Sequence, residues 1–125
     1  MNYVHIVAAL AIFQFIFFGV KVGQARGKYN VAAPATSGHD MFDRAFRIHM
    51  NTLEQLVGFL PALFMASVYW SNAYIAMIGA VYIVGRFVYQ KSYLADPKKR
   101  SLGFALTILP TFVLLVAAIA GAMMN

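Results

Sequence analysis

Along the chain, hydrophobic positions gather into three tracts that contain no Asp, Glu, Lys or Arg: Met1 to Val20, Gln55 to Gly85 and Ser101 to Asn125. A helix that crosses a bilayer needs about 20 mostly apolar residues. The middle tract is too long for one crossing, and Ser71-Asn72 breaks it in two. The pattern predicts four transmembrane helices near residues 3–24, 43–70, 73–95 and 100–123, in a single domain spanning 1–125. The expected class is an all-α membrane protein, a four-helix bundle. Pro61 should kink the second helix, and Pro110 should bend the fourth. Between the first two helices, the loop from Tyr29 to Met41 carries Pro34 and Gly38, with Asp40 or Asp43 as candidate caps for helix 2. Tyr69, Trp70 and Tyr74 read as an aromatic belt at the far interface.

Polar residues inside these helices fall on narrow faces. A helix advances about 100° per residue, so Arg44, Arg47, Asn51 and Glu54 lie within roughly 80° of one another. On helix 3, Tyr82, Arg86, Tyr89 and Tyr93 lie within about 60°. Arg100, Phe104, Thr107 and Thr111 share a stripe on helix 4. Ionisable groups at membrane depth are costly and are matched to a partner or a ligand. The expected internal partner of Arg86 is Glu54. Gln14, alone among phenylalanines, is expected to bond to a neighbouring helix.

Composition agrees with a membrane protein: 62% of residues are hydrophobic and 11% charged, against about 25% charged in an ordinary soluble domain. A chain this small could not bury so much apolar surface in a soluble core. The net charge is +6, and its placement is more informative than its size. Lys21, Arg26, Lys28, Arg44 and Arg47 flank the first connection; Arg86, Lys91, Lys98, Lys99 and Arg100 flank the third. The positive-inside rule puts that side in the cytoplasm and both termini on the other side. The membrane would be the inner or plasma membrane of a bacterium or the endoplasmic reticulum of a eukaryote. No soluble basic domain is available for nucleic acid. With no cysteine, and with His5, His39 and His49 scattered, neither a metal site nor a thiol nucleophile is expected. Helix 1 lacks the charged start of a signal peptide and is read as retained.

The cationic end collects Arg26, Arg44, Arg47, Arg86 and Arg100 against one deep carboxylate, Glu54. Arginine forks suit carboxylates, so the stripe calls for an anionic ligand that carries at least one cationic group. A small proton-coupled multidrug exporter also has four short helices and a membrane Glu. Such a carboxylate stands alone, whereas Glu54 has Arg47 on its own face.

The segment Asp43-Arg44-Ala45-Phe46-Arg47-Ile48-His49-Met50-Asn51-Thr52-Leu53-Glu54 resembles the helix-2 motif of the membrane-associated proteins in eicosanoid and glutathione metabolism. Gly23-Gln24-Ala25-Arg26, Arg86 with Tyr89 and Tyr93, and Arg100-Ser101 followed by Pro110 resemble that family's other three motifs, in order. The resemblance implies four-helix subunits assembled as a homotrimer, with glutathione as cosubstrate bound between subunits near the cytoplasmic face. It implies that Arg26, Arg47, Asn51, Glu54, Tyr89 and Tyr93 hold glutathione, with Arg86 beside them, and that Arg100, with Ser101, stands at the sulfur. His49, on the far side of its helix, would reach across a subunit boundary or bond to a neighbouring helix. Gln55, Thr52 and Phe104 depart from the animal eicosanoid enzymes. The implied activity is a glutathione transferase or peroxidase acting on lipophilic electrophiles in the bilayer. A lipid-binding branch of the family without catalysis supplies the alternative.

Overall fold

The computed structural model describes residues 1–125. It contains α1 (Tyr3–Tyr29), α2 (Asp40–Tyr69), α3 (Asn72–Ala95), a 3-10 turn (Pro97–Lys99) and α4 (Ser101–Met124). All four α-helices are long and apolar enough to cross a membrane. They run up and down. At one end Asn72 Oδ1 accepts from the N–H groups of Tyr3 (2.8 Å) and Val4 (3.3 Å), so the start of α3 caps the start of α1. Trp70 Nε1 donates to the Ala117 carbonyl at 2.8 Å, bringing the end of α4 to the same level. At the other end Arg44 Nη1 donates to the Leu94 carbonyl at 2.8 Å, which joins the start of α2 to the end of α3. The ten Lys and Arg residues therefore occupy one end of the bundle.

The core follows the helical period. Val4, Val7, Ala8 and Ala11 from α1 meet Phe59, Ala62, Leu63 and Ala66 from α2, with Ile75 and Tyr82 from α3 and Leu114 from α4. The Phe59 and Tyr82 rings stack with centroids 3.8 Å apart. The outer faces stay apolar: Phe13 is 68% exposed, Val57 71% and Phe112 63%. In water that would be an aggregating surface; in lipid it is the face that fits the solvent. Gln14 Nε2 donates to the Ile83 carbonyl at 2.9 Å, the expected bond between helices.

Several boundaries differ from the pattern. α1 continues five residues past the expected Gln24, because Val22 and Ala25 still have Phe42 and Val31 to pack against. It ends where Asn30 turns left-handed (φ 57°). The cap of α2 is His39, whose Nδ1 accepts from Met41 N–H at 3.1 Å, and not Asp40 or Asp43. Asp40 instead pairs with Arg44 at 2.9 Å, and Asp43 accepts from Gly38 N–H at 3.1 Å. As expected, Pro61 lies inside α2 and Pro110 inside α4.

Small residues mark close approach between helices of the bundle. Ala76, Gly79 and Gly85 are buried in the bundle. A methyl on Gly79 would lie 2.9 Å from Val7, and one on Gly85 would lie 2.7 Å from the Leu106 backbone. A backbone atom cannot swing aside as a side-chain end can, so α3 and α4 would have to part. Gly85→Ala should lower stability by about 1–3 kcal/mol, read as a lower unfolding temperature in detergent. An unchanged temperature would mean that the helices are not in this contact.

Candidate functional site

Arg47, Asn51 and Glu54 project from successive turns of α2 and form one unit. Arg47 Nη2 pairs with Glu54 Oε1 at 3.0 Å, with both side chains about half exposed (48% and 55%). Asn51 Nδ2 donates to the same oxygen at 3.4 Å. Glu54, expected to be deep, therefore sits at the accessible edge of its helix.

Below this unit lies Arg86, wholly buried at 0% exposure. Its expected partner was Glu54. The structure corrects this, because Glu54 is taken by Arg47 and Asn51 on its own helix and faces outward. Arg86 Nη2 donates to Asn51 Oδ1 (2.8 Å) and Thr52 Oγ1 (3.0 Å), and Nη1 donates to Thr107 Oγ1 (3.2 Å). Both threonines pass their own protons back to their helices, to the carbonyls of Ile48 and Gly103. The guanidinium also lies over the Tyr89 ring, 4.4 Å from its centroid. Thr52 and Thr107 are the members that the sequence reading passed over in this role; a hydroxyl at a buried helix position facing an arginine was the available signal.

Tyr89 and Tyr93 stack with centroids 5.4 Å apart, Tyr89 buried and Tyr93 partly exposed. Tyr89 packs with Phe18 and Ile48, and Tyr93 and Leu94 lie against the same cluster. Arg100 is exposed at the N-cap position of α4, where Nη1 donates to the Pro97 carbonyl at 3.2 Å. Ser101 is the first residue of α4 rather than its cap, and it too is exposed. The cationic end thus carries the half-exposed Arg47–Glu54 pair over the buried Asn51 on α2, Tyr93 near the end of α3, and the exposed Arg100 and Ser101 at the head of α4.

Two expected members lie elsewhere in the bundle. Arg26 folds onto the connection after α1, donating to the carbonyls of Ala35 (2.7 Å) and Val31 (3.4 Å) and lying 4.8 Å from the Phe42 ring centroid. His49 packs on α1, stacked on Phe15 at 4.4 Å, with its ring filling the space beside Gly19. It makes no hydrogen bond to a neighbouring helix.

The sequence profile of the MAPEG family matches residues 4–120, nearly the full length. The chain belongs to the MAPEG family. It is 38% identical over 102 residues to human microsomal glutathione S-transferase 2, covering 82% of this chain and 69% of that one. An uncharacterized protein of Synechocystis is 40% identical over 114 residues, covering 91% of this chain and 83% of the relative. Rat leukotriene C4 synthase is 30% identical over 94 residues, covering 75% and 63%. With four spanning helices and this family, the protein is a multi-pass integral membrane protein.

Proposed function

We infer that this MAPEG protein is a membrane glutathione transferase that joins the glutathione thiolate to apolar electrophiles dissolved in the bilayer. The observation that carries the reading is the Arg47–Asn51–Glu54 unit, with its ion pair half exposed, at the cationic end of a membrane bundle that also carries Tyr93 and Arg100. Glutathione has two carboxylates, one ammonium and one thiol. Arg47 suits a carboxylate through its fork, Glu54 suits the ammonium, and Asn51 and the Tyr89–Tyr93 pair suit the peptide groups. Arg100 stands at the sulfur, with Ser101 as a further hydroxyl donor. In the chemical step the thiolate attacks an electrophilic carbon; a C–S bond forms and a leaving group departs with the displaced electron pair. The relatives named glutathione S-transferase support the same reaction class.

The cationic end faces the cytoplasm in this reading, and the acceptor enters from the lipid along the apolar outer faces. Arg26 and His49 lie off the Arg47–Glu54 face of their own subunit, so a shared site requires a second subunit to bring them there. The active form is then a homotrimer. Light scattering in mild detergent should give the mass of a trimer; a monodisperse monomer that still turns over substrate would contradict the shared site. Calorimetry tests the ligand itself. Glutathione should bind saturably, and an analogue lacking the ammonium should bind more weakly. Equal affinity for the two would remove Glu54 from the proposed role.

A further inference from the structure

We propose that Arg86 is a positioning residue: it does not touch glutathione but holds Asn51 and Tyr89 in the orientation that receives it. The proposal rests on the glutathione reading and adds to it a residue whose side chain the ligand does not reach.

The geometry is specific. An amide side chain has two faces of similar shape and opposite chemistry, an oxygen acceptor and an NH2 donor. Arg86 offers only donors, so it fixes the Asn51 oxygen inward, at 2.8 Å, and leaves the NH2 group directed outward to Glu54 at 3.4 Å. Reversed, Asn51 would point its oxygen at the carboxylate and its NH2 at a guanidinium, and both contacts would become repulsive. The same guanidinium supports the Tyr89 ring at 4.4 Å, on which Tyr93 stacks at 5.4 Å. Through Thr107 it reaches α4, seven residues beyond Arg100. One buried cation therefore sets α2, α3 and α4 relative to one another beneath the site. Its partners are neutral, so it is no half of an ion pair whose removal would leave a buried carboxylate. A planar fork can serve three oxygens on two helices at once; a lysine ammonium is a compact charge on a flexible stem and cannot reproduce that fork.

The test is a double-mutant cycle on the full-length protein in detergent, reading glutathione dissociation constants by calorimetry and steady-state turnover. Arg86→Lys keeps the charge and should weaken glutathione binding by about tenfold or more, the scale of one lost charged hydrogen bond. Turnover at saturating glutathione should fall far less, because Arg100 still faces the sulfur. Asn51→Ala should weaken binding by a similar factor. In the Asn51→Ala background, Arg86→Lys should cost clearly less than it does alone, since only its support of Tyr89 is left to lose. Thr107→Val removes one acceptor of the guanidinium and should give a milder loss of the same kind. It provides the reading if Arg86→Lys does not fold. Unchanged affinity in the folded single variants, or fully additive losses in the double, would overturn the positioning role while leaving glutathione binding itself intact. Failure of the wild-type protein to bind glutathione would overturn the underlying reading and this proposal with it.

Discussion

Arg100→Ala is expected to bind glutathione and yet conjugate almost none of it. Free cysteine thiols titrate near pH 8.5, and only the thiolate is the nucleophile. At neutral pH a transferase must therefore favour the anion in its site. Arg100 is placed to do so: it sits at the start of α4, whose N-terminal end carries partial positive charge. Near lipid the effective dielectric is low and its attraction for a sulfur anion is strengthened. Each unit by which the thiol pKa falls corresponds to about 1.4 kcal/mol in favour of the thiolate. Removing a fixed charge from a reacting anion costs on the order of 10²-fold or more in turnover. Binding should survive, because Arg47, Asn51 and Glu54 belong to another helix. The thiolate absorbance of bound glutathione at neutral pH should vanish with turnover. Should both persist in Arg100→Ala, Tyr93 or Ser101 would take over the role.

Glu54→Gln should weaken glutathione binding by about ten- to a hundredfold, the equivalent of one charge-assisted hydrogen bond of roughly 1.5–3 kcal/mol. The pair with Arg47 is half exposed, and exposed pairs contribute only about 0–1 kcal/mol to stability. The variant should therefore fold, which a deeply buried Glu54 would not have promised. Glutamine keeps the shape and an acceptor oxygen, so the loss isolates the charge. The control is the analogue without the ammonium, which should bind the wild type and Glu54→Gln alike by calorimetry. If glutathione loses no affinity in the variant, Glu54 does not face its ammonium.

The helix count was legible because lipid imposes a length on every crossing, and charge-free tracts of the right size are hard to read otherwise. The Arg47–Asn51–Glu54 unit was legible as well, since helical spacing alone puts those residues on one face, and they do bond to one another. What spacing cannot give is the neighbour. Arg86 was matched to the nearest opposite charge, Glu54. The folded chain gives it an amide and two hydroxyls, because Asn51, Thr52 and Thr107 occupy the buried side while Glu54 faces out. Gly79 and Gly85 lie at close helix approaches, and small residues alone do not say which helix they approach. The length of α1 depended on Phe42 and Val31 packing against its last turns, a tertiary effect outside any local pattern.

Stopped-flow absorbance at neutral pH, on mixing the purified wild-type protein with glutathione, tests the account most directly. A thiolate band should rise to a saturating amplitude, and its dependence on glutathione concentration should match the dissociation constant from calorimetry. Saturable binding with no thiolate band at neutral pH would contradict it, since the protein would then hold glutathione without activating the sulfur.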